Sequence, residues 1–199
     1  MTPAQALTRV RTRPHGLKQF SNYEVVASPD GAFVLVELTK GQWCEVGVDD
    51  WFSGLDKYKW CAMWNRYTRS FYAYGRIEGG KGKCEMMHRL ILGLSEASQK
   101  GDHRNHDTLC NLRSNLRICS QSQNGMNRKQ PPRNNKSGYM GVCLDKRSGR
   151  WKAEIRVCGK GKYLGSYTDP VEAATKRDDA ARQFHGEFAY LNFPTRACA

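Results

Sequence analysis

From Tyr23 onward the hydrophobic and polar positions fall into strand-like runs. Phe33-Val34-Leu35-Val36-Glu37-Leu38 stops at Lys40-Gly41 and resumes from Trp43 to Val46, which predicts a hairpin. Val48-Asp49-Asp50-Trp51-Phe52 predicts the start of a short helix with an Asp as its cap. Lys59 to Trp64 and Phe71 to Ile77 predict two further strands joined by residues 65–70. Their aromatics, Trp60, Trp64, Tyr67, Phe71, Tyr72 and Tyr74, are placed in the core of a small sheet in preference to stacking on bases. Gly79 to Lys83 reads as a loop and not as a phosphate cradle, because no Gly-Lys-Ser/Thr leads from it into a helix. Met86 to Leu92 predicts a helix in which His88 has a structural role. Further on, Leu116 and Ile118 alternate with Arg117, the mark of a short half-buried strand. Ser120 and Gln123 have the spacing of a capping box, so a helix begins there and carries Asn124 in its first turns. Asp102-His103 is expected on a partner strand, with 105–111 as the connecting loop.

The C-terminal third repeats the β pattern more cleanly. Tyr139 to Leu144, Arg150 to Val157 and Lys162 to Tyr167 predict three strands with glycine-bearing turns at 146–149 and 158–161. In the middle strand Trp151, Ala153, Ile155 and Val157 alternate with Lys152, Glu154 and Arg156, giving one apolar and one charged face. Asp169-Pro170 then opens a helix, with Asp as cap and Pro in the first turn. Val171, Ala174, Ala181 and Phe184 form its expected sheet-facing side.

Composition narrows the partners. The chain has 199 residues, room for one ordinary domain or two small ones, and a formal net charge of +13. Such an excess favours nucleic acid or an anionic membrane surface. No apolar run has the ~18–20 residues needed to span a bilayer, so the expected partner is nucleic acid and not a membrane; no small-molecule cofactor is expected. The eight cysteines form no Cys-x-x-Cys pair, so no structural zinc is expected. Without a secretory signal they are read as reduced thiols of a cytoplasmic, non-secreted protein. Residues 1–20 read as an uninvolved basic tail, ahead of a disordered arm that touches phosphates and, last, of a transit peptide. The basic, proline-broken stretch at 129–137, with Lys129 and Arg133, reads equally as a segment laid along DNA and as a solvated tether.

The candidate chemistry lies at 101–128. Asp102 stands beside His103, Asn115 follows, then Asn124, and Arg104, Arg113, Arg117 and Arg128 surround them. An imidazole can take a proton from water near neutral pH, and a carboxylate with an amide oxygen suits magnesium. In residue types and spacing this stretch resembles the HNH homing-endonuclease family, in the phage intron-endonuclease branch that ends in Asn. The resemblance implies a ββα-metal site: Asp102 and Asn124 as ligands of a divalent metal (magnesium, with manganese as the alternative), His103 as general base, and Asn115 bracing the loop that carries the histidine. Cys110-Asn111-Leu112 departs from the Asp-Asn-Arg of that family's loop.

The C-terminal module resembles the plant ethylene-response-factor, or Apetala-type, DNA-binding domain. The resemblance rests on Tyr139-Met140-Gly141-Val142, on 151–156 and Tyr163-Leu164-Gly165-Ser166-Tyr167, and on Glu172-Ala173-Ala174, Asp179-Ala180-Ala181 and Leu191-Asn192-Phe193-Pro194. It implies that the exposed sheet face enters the major groove, and it places Lys146, Arg147, Arg150, Lys152, Glu154, Arg156, Lys162 and Tyr163 at the DNA. Met140, Cys143 and Asp145 stand where the plant domains have Arg, and Tyr163 where they have Trp, so the plant target sequence is not carried over. The expected architecture is α+β: a basic tail (1–20), a small β-rich domain leading into the HNH motif (21–128), the linker (129–137), a three-stranded antiparallel sheet packed on one helix (138–194) and a tail (195–199). The expected function is metal-dependent DNA cleavage, nicking one strand, by a monomer or a dimer of phage or mobile-element type, in the cytoplasm of a bacterium or phage-infected host cell. The alternative is a sequence-specific DNA-binding regulator with an inactive nuclease motif.

Overall fold

The computed structural model describes residues 9–10, 21–77, 83–127 and 135–194. Arg128, Lys129, Arg133, most of the expected glycine loop, most of the linker and the tail at 195–199 lie outside the described residues. The chain divides into two compact units, 1–118 and 119–199. It is mixed α+β, with mostly antiparallel sheets and a long helix near the C-terminal end.

In chain order the first unit contains β1 (Arg9–Val10), β2 (Tyr23–Ser28), β3 (Gly31–Glu37), β4 (Trp43–Gly47), α1 (Val48–Asp50), β5 (Trp60–Asn65), β6 (Ser70–Arg76), β7 (Cys84–Met86), α2 (Met87–Ile91), β8 (Lys100–His103), β9 (Cys110–Asn111) and β10 (Leu116–Cys119), whose last residue falls across the division. The sheet order is β1-β2-β3-β4-β9, beside a β5-β6-β7 sheet and a two-stranded β8/β10 pair. Val34, Val36, Cys44 and Val46, each at every second position of its strand, share a core with Trp51, Trp60, Ala62, Met87 and Leu116. Removing a buried side chain of that size from water contributes about 1.5–3 kcal/mol.

Several expectations change here. Arg9–Val10, placed in an uninvolved tail, pairs with Val25 and Val26 of β2. Cys110–Asn111, expected in a loop, lies parallel to β4; two residues are too few for any periodicity to reveal. The helix α1 has Gly47, which carries no side chain, at its N-terminal cap position, and Asp50 lies within the helix and takes the guanidinium of Arg113 at 2.7 Å. Of the aromatics assigned to a sheet core, Trp60 is buried, whereas Trp64 and Tyr67 are exposed.

The second unit contains α3 (Gln121–Met126), β11 (Val142–Asp145), β12 (Arg150–Val157), β13 (Lys160–Tyr167) and α4 (Pro170–His185). Ser120 and Gln123 cap α3 reciprocally, as their spacing predicts. Asp169 accepts from the backbone N–H groups of Val171 and Glu172, and Pro170 occupies the first turn. The three strands form an antiparallel sheet in the order β11-β12-β13. Val142, Ala153 and Ile155 face α4, whose Ala173, Ala174, Ala180 and Ala181 let helix and sheet approach closely. Val171, assigned to that side, is 43% exposed, and Ala173 and Ala180 take the contact instead. Gly141 sits at φ 73°, where a Cβ would lie 2.5 Å from the carbonyl oxygen of Glu154, so the turn into β11 admits no side chain there.

Candidate nucleic-acid interface

The alternation of β12 turns Arg150, Lys152, Glu154 and Arg156 to the face away from α4. The register sets Cys143 and Asp145 of β11 opposite Lys152 and Arg150, and Tyr163 and Gly161 of β13 opposite Glu154 and Arg156. A bulge between Ala153 and Glu154 interrupts the β12/β13 ladder, with Gly165 at φ 137°. The extra residue, Leu164, packs against both core clusters, the one with Ala153 and the one with Ile155, while Tyr163 remains 58% exposed on the outer face. Without that bulge, strict alternation would turn Leu164 outward.

The expected DNA-contacting side chains are not equally available. Arg156 and Glu154 are exposed. Arg150 donates to the Ser166 carbonyl oxygen at 2.9 Å, which fixes its stem across the sheet. Lys146 and Arg147 lie exposed in the turn after β11. Lys152 is engaged with Asp145 at 3.2 Å. The Ser148 hydroxyl, Lys152 and the Arg147 N–H hold the Asp145 carboxyl below the usual carboxylate range. Lys162 stands opposite Ile155 on the helix side, with its ammonium 4.3 Å from the centre of the Phe184 ring. That placement removes Lys162 from the outer face. The role of Asn192 had no sequence signal beyond the family motif. Its side chain accepts from the Met140 N–H and donates to the Met140 carbonyl and to Asp178, tying the chain end to the start of β11.

In the first unit, Asp102 and His103 lie buried on β8, and Arg117, expected at DNA, lies buried on β10. The guanidinium of Arg117 donates to one Asp102 oxygen from Nε at 2.8 Å and pairs with it from Nη2 at 2.7 Å. Thus Arg117 is an interior residue, and Asp102 is its counter-ion. The Asn115 side chain accepts from the Asn105 N–H at 3.0 Å and donates to the Cys110 carbonyl at 2.8 Å, which spans the loop after His103. Arg104 and Arg113 are exposed, the latter paired with Asp50. Asn124 is exposed on α3, in the second unit, so the four residues expected to act together are divided between the units. Among the described residues, no group of three or more His, Cys, Asp or Glu side chains is placed to hold a metal ion.

Beside His103 lies His88, with ring centroids 5.0 Å apart, and Tyr72 closes over both. Gly101 makes room for this packing: a Cβ there would lie 2.6 Å from the His88 ring. Burial, the neighbouring His103 and Arg89 push His88 down to about 3. Burial also lowers His103, against the opposing pull of Asn111, Asp102 and Asp107. A histidine that stays neutral in the fold takes up its proton only on unfolding, so stability is full above the unfolded-state value of about 6.5 and falls with pH below it. The melting temperature of the first unit is therefore expected to drop steadily between about pH 6.5 and 3. A level melting temperature across that window would mean that the rings are hydrated.

Comparison with known proteins decides between the two resemblances. APETALA2-like protein 2 of Oryza sativa subsp. indica is 42% identical over 65 residues, 33% of this chain and 15% of that protein. The chain is similar to plant transcription factors. AP2-like ethylene-responsive transcription factor TOE2 of Arabidopsis thaliana is likewise 42% identical over 65 residues, 33% of this chain and 13% of that one. Dehydration-responsive element-binding protein 2A of Oryza sativa subsp. indica is 32% identical over 136 residues, 59% of this chain and 47% of that protein. The chain thus spans less than half the length of each of these relatives. No family model matches it, and no solved structure does.

These relatives overturn the expectation of an HNH homing endonuclease of phage or mobile-element type, and with it the assignment as a metal-dependent hydrolase. None of the three is named as a nuclease, and the names of the first two agree with the Apetala-type reading of the C-terminal module. Their plant origin also overturns the expected setting in the cytoplasm of a bacterium or phage-infected cell.

Proposed function

We propose that this chain is a sequence-specific DNA-binding protein that reads double-stranded DNA with the outer face of β11, β12 and β13. One observation carries the reading: Glu154, Arg156 and Tyr163 stand exposed together on a single sheet face whose other side is anchored on α4. A rigid sheet face of this kind fits the major groove. The fork of Arg156 matches the two acceptors on a guanine edge, and Glu154 can accept from a cytosine amino group. Lys146, Arg147 and Arg150 lie at one end of the same sheet and are assigned to the phosphates. The net charge of +13 supplies the long-range attraction. Support also comes from one relative named as a transcription factor and another as a dehydration-responsive element-binding protein.

The test compares two cations with different jobs. Arg156→Ala is expected to weaken binding at the preferred duplex by roughly 1–3 kcal/mol and to relax base preference there. Lys146→Ala is expected to weaken all duplexes alike and to reduce the salt slope by about one unit. Titration of preferred and scrambled duplexes at several salt concentrations separates these outcomes. Equal loss on both duplexes in Arg156→Ala would leave the sheet holding backbone alone.

A further inference from the structure

The first unit presents a second surface that the sheet of the second unit does not use. At the end of the β5–β6 hairpin, Trp64 is 49% and Tyr67 81% exposed. Turns are ordinarily made of small or polar residues; here the turn holds Tyr67, and Trp64 stands exposed on the strand that enters it. They are also held in place. The Asn65 side chain accepts from the N–H groups of Tyr67 at 2.9 Å and Thr68 at 3.3 Å, and the Asn65 carbonyl accepts from the Arg69 N–H at 2.8 Å. Arg69 itself adopts a left-handed conformation, φ 54°. Trp64 is braced edge-on by Phe71, with centroids 4.8 Å apart.

Cations lie close to Tyr67 and to Phe71, the ring that braces Trp64. The Arg66 guanidinium lies 4.8 Å from the Tyr67 ring centre and donates to its hydroxyl at 2.7 Å. The Lys40 ammonium lies 5.6 Å from the Phe71 ring centre. Along the chain from 57 to 76 the charged residues are Lys57, Lys59, Arg66, Arg69 and Arg76, with no acid among them. The surface therefore combines accessible π-faces with positive charge on a turn whose backbone is already ordered. A ring in this setting favours a partner with free aromatic faces and negative charge at regular intervals. Duplex DNA supplies the charge but keeps its base faces stacked; a single strand supplies both.

We propose that the β5–β6 tip binds single-stranded nucleic acid, with Tyr67 and Trp64 stacking on unpaired bases and Arg66, Arg69 and Lys40 holding the phosphates. Preordering of the turn lowers the entropy lost on binding. The contact tolerates many sequences, since every base has a face to stack.

The test uses the full chain with fluorescently labelled oligothymidine and, separately, a duplex of the same length, both followed by anisotropy. The wild-type chain is expected to bind oligothymidine. Tyr67→Ala is expected to weaken that binding about tenfold, within the range of one base–aromatic stack, and to leave the duplex affinity unchanged. Tyr67→Phe keeps the ring and is expected to retain binding. Because Tyr67 is so exposed, its replacement should not shift the melting temperature, which separates lost stacking from lost folding. Three results overturn the proposal: no binding of oligothymidine by the wild-type chain, equal affinity for it in Tyr67→Ala, or an equal loss on both probes in that variant.

Discussion

Asp178→Ala is expected to destabilise the second unit by about 3–5 kcal/mol, the range for removing one partner of a buried ion pair. Asp178 lies on α4 with almost no exposure. One of its oxygens takes the Arg177 guanidinium at 3.2 Å and the Asn192 amide at 3.0 Å; the other takes the Phe193 N–H at 2.8 Å. Arg177 is buried as well and also donates to the Tyr190 carbonyl. Burial lowers the Arg177 pKa while Asp178 opposes the shift. Truncation at Asp178 thus strands a buried cation and leaves two further donors without their acceptor. Small domains have only about 5–15 kcal/mol of net stability, so the melting curve should move far and duplex binding should fail with it. Asp178→Asn keeps the shape and one acceptor and is expected to fall in between. An unchanged melting temperature in Asp178→Ala would show that this group does not hold the C-terminal segment to the sheet.

Arg117→Ala is expected to have an effect of similar size, about 3–5 kcal/mol, confined to the first unit. Its guanidinium is the buried counter-ion of Asp102, and losing it leaves a carboxylate inside the protein beside His103. Replacing both members with apolar residues of similar volume, as in Asp102→Leu with Arg117→Met, is expected to recover most of the loss, because the desolvated charges disappear together. Chemical denaturation of the single and double variants measures this directly. A double variant as unstable as Arg117→Ala would show that the pair is held for more than charge balance. Duplex binding through the C-terminal sheet should be unaffected in a folded Arg117 variant, the opposite of what a phosphate contact at that residue would give.

Much of the second unit was legible because local signals agreed. Alternation from Trp151 to Val157, flanked by glycine turns, gave β12 its observed limits, and Asp169-Pro170 gave the start of α4. Partnerships between distant residues were not legible. Charged residues on a helix are normally read as its solvated face, yet Arg177 and Asp178 are among the most buried residues of α4. The same blindness affected 101–128. Spacing placed Asp102, His103, Asn115 and Asn124 in a familiar order, but spacing cannot show that a carboxylate already has an arginine, or that two histidines pack together inside the fold. On the C-terminal sheet, the Leu164 bulge changed which side chains of β13 point outward, and the resemblance put the neighbours Lys162 and Tyr163 on one face although they lie on opposite ones.

The parallel pairing of β9 with β4 has a consequence for how the chain is made. β4 emerges from the ribosome early, but its outer neighbour at Cys110–Asn111 is synthesised only after β5, β6, β7, α2 and β8. Until then the nascent chain carries a strand with an unsatisfied backbone edge, the kind that pairs with a second copy. Leu116 of β10 also contributes to the first unit's core, so that core is complete only when synthesis has passed nearly to the boundary at Ile118. A chain stopped between β4 and β9 is therefore expected to expose the β4 edge and to lack part of the first unit's core.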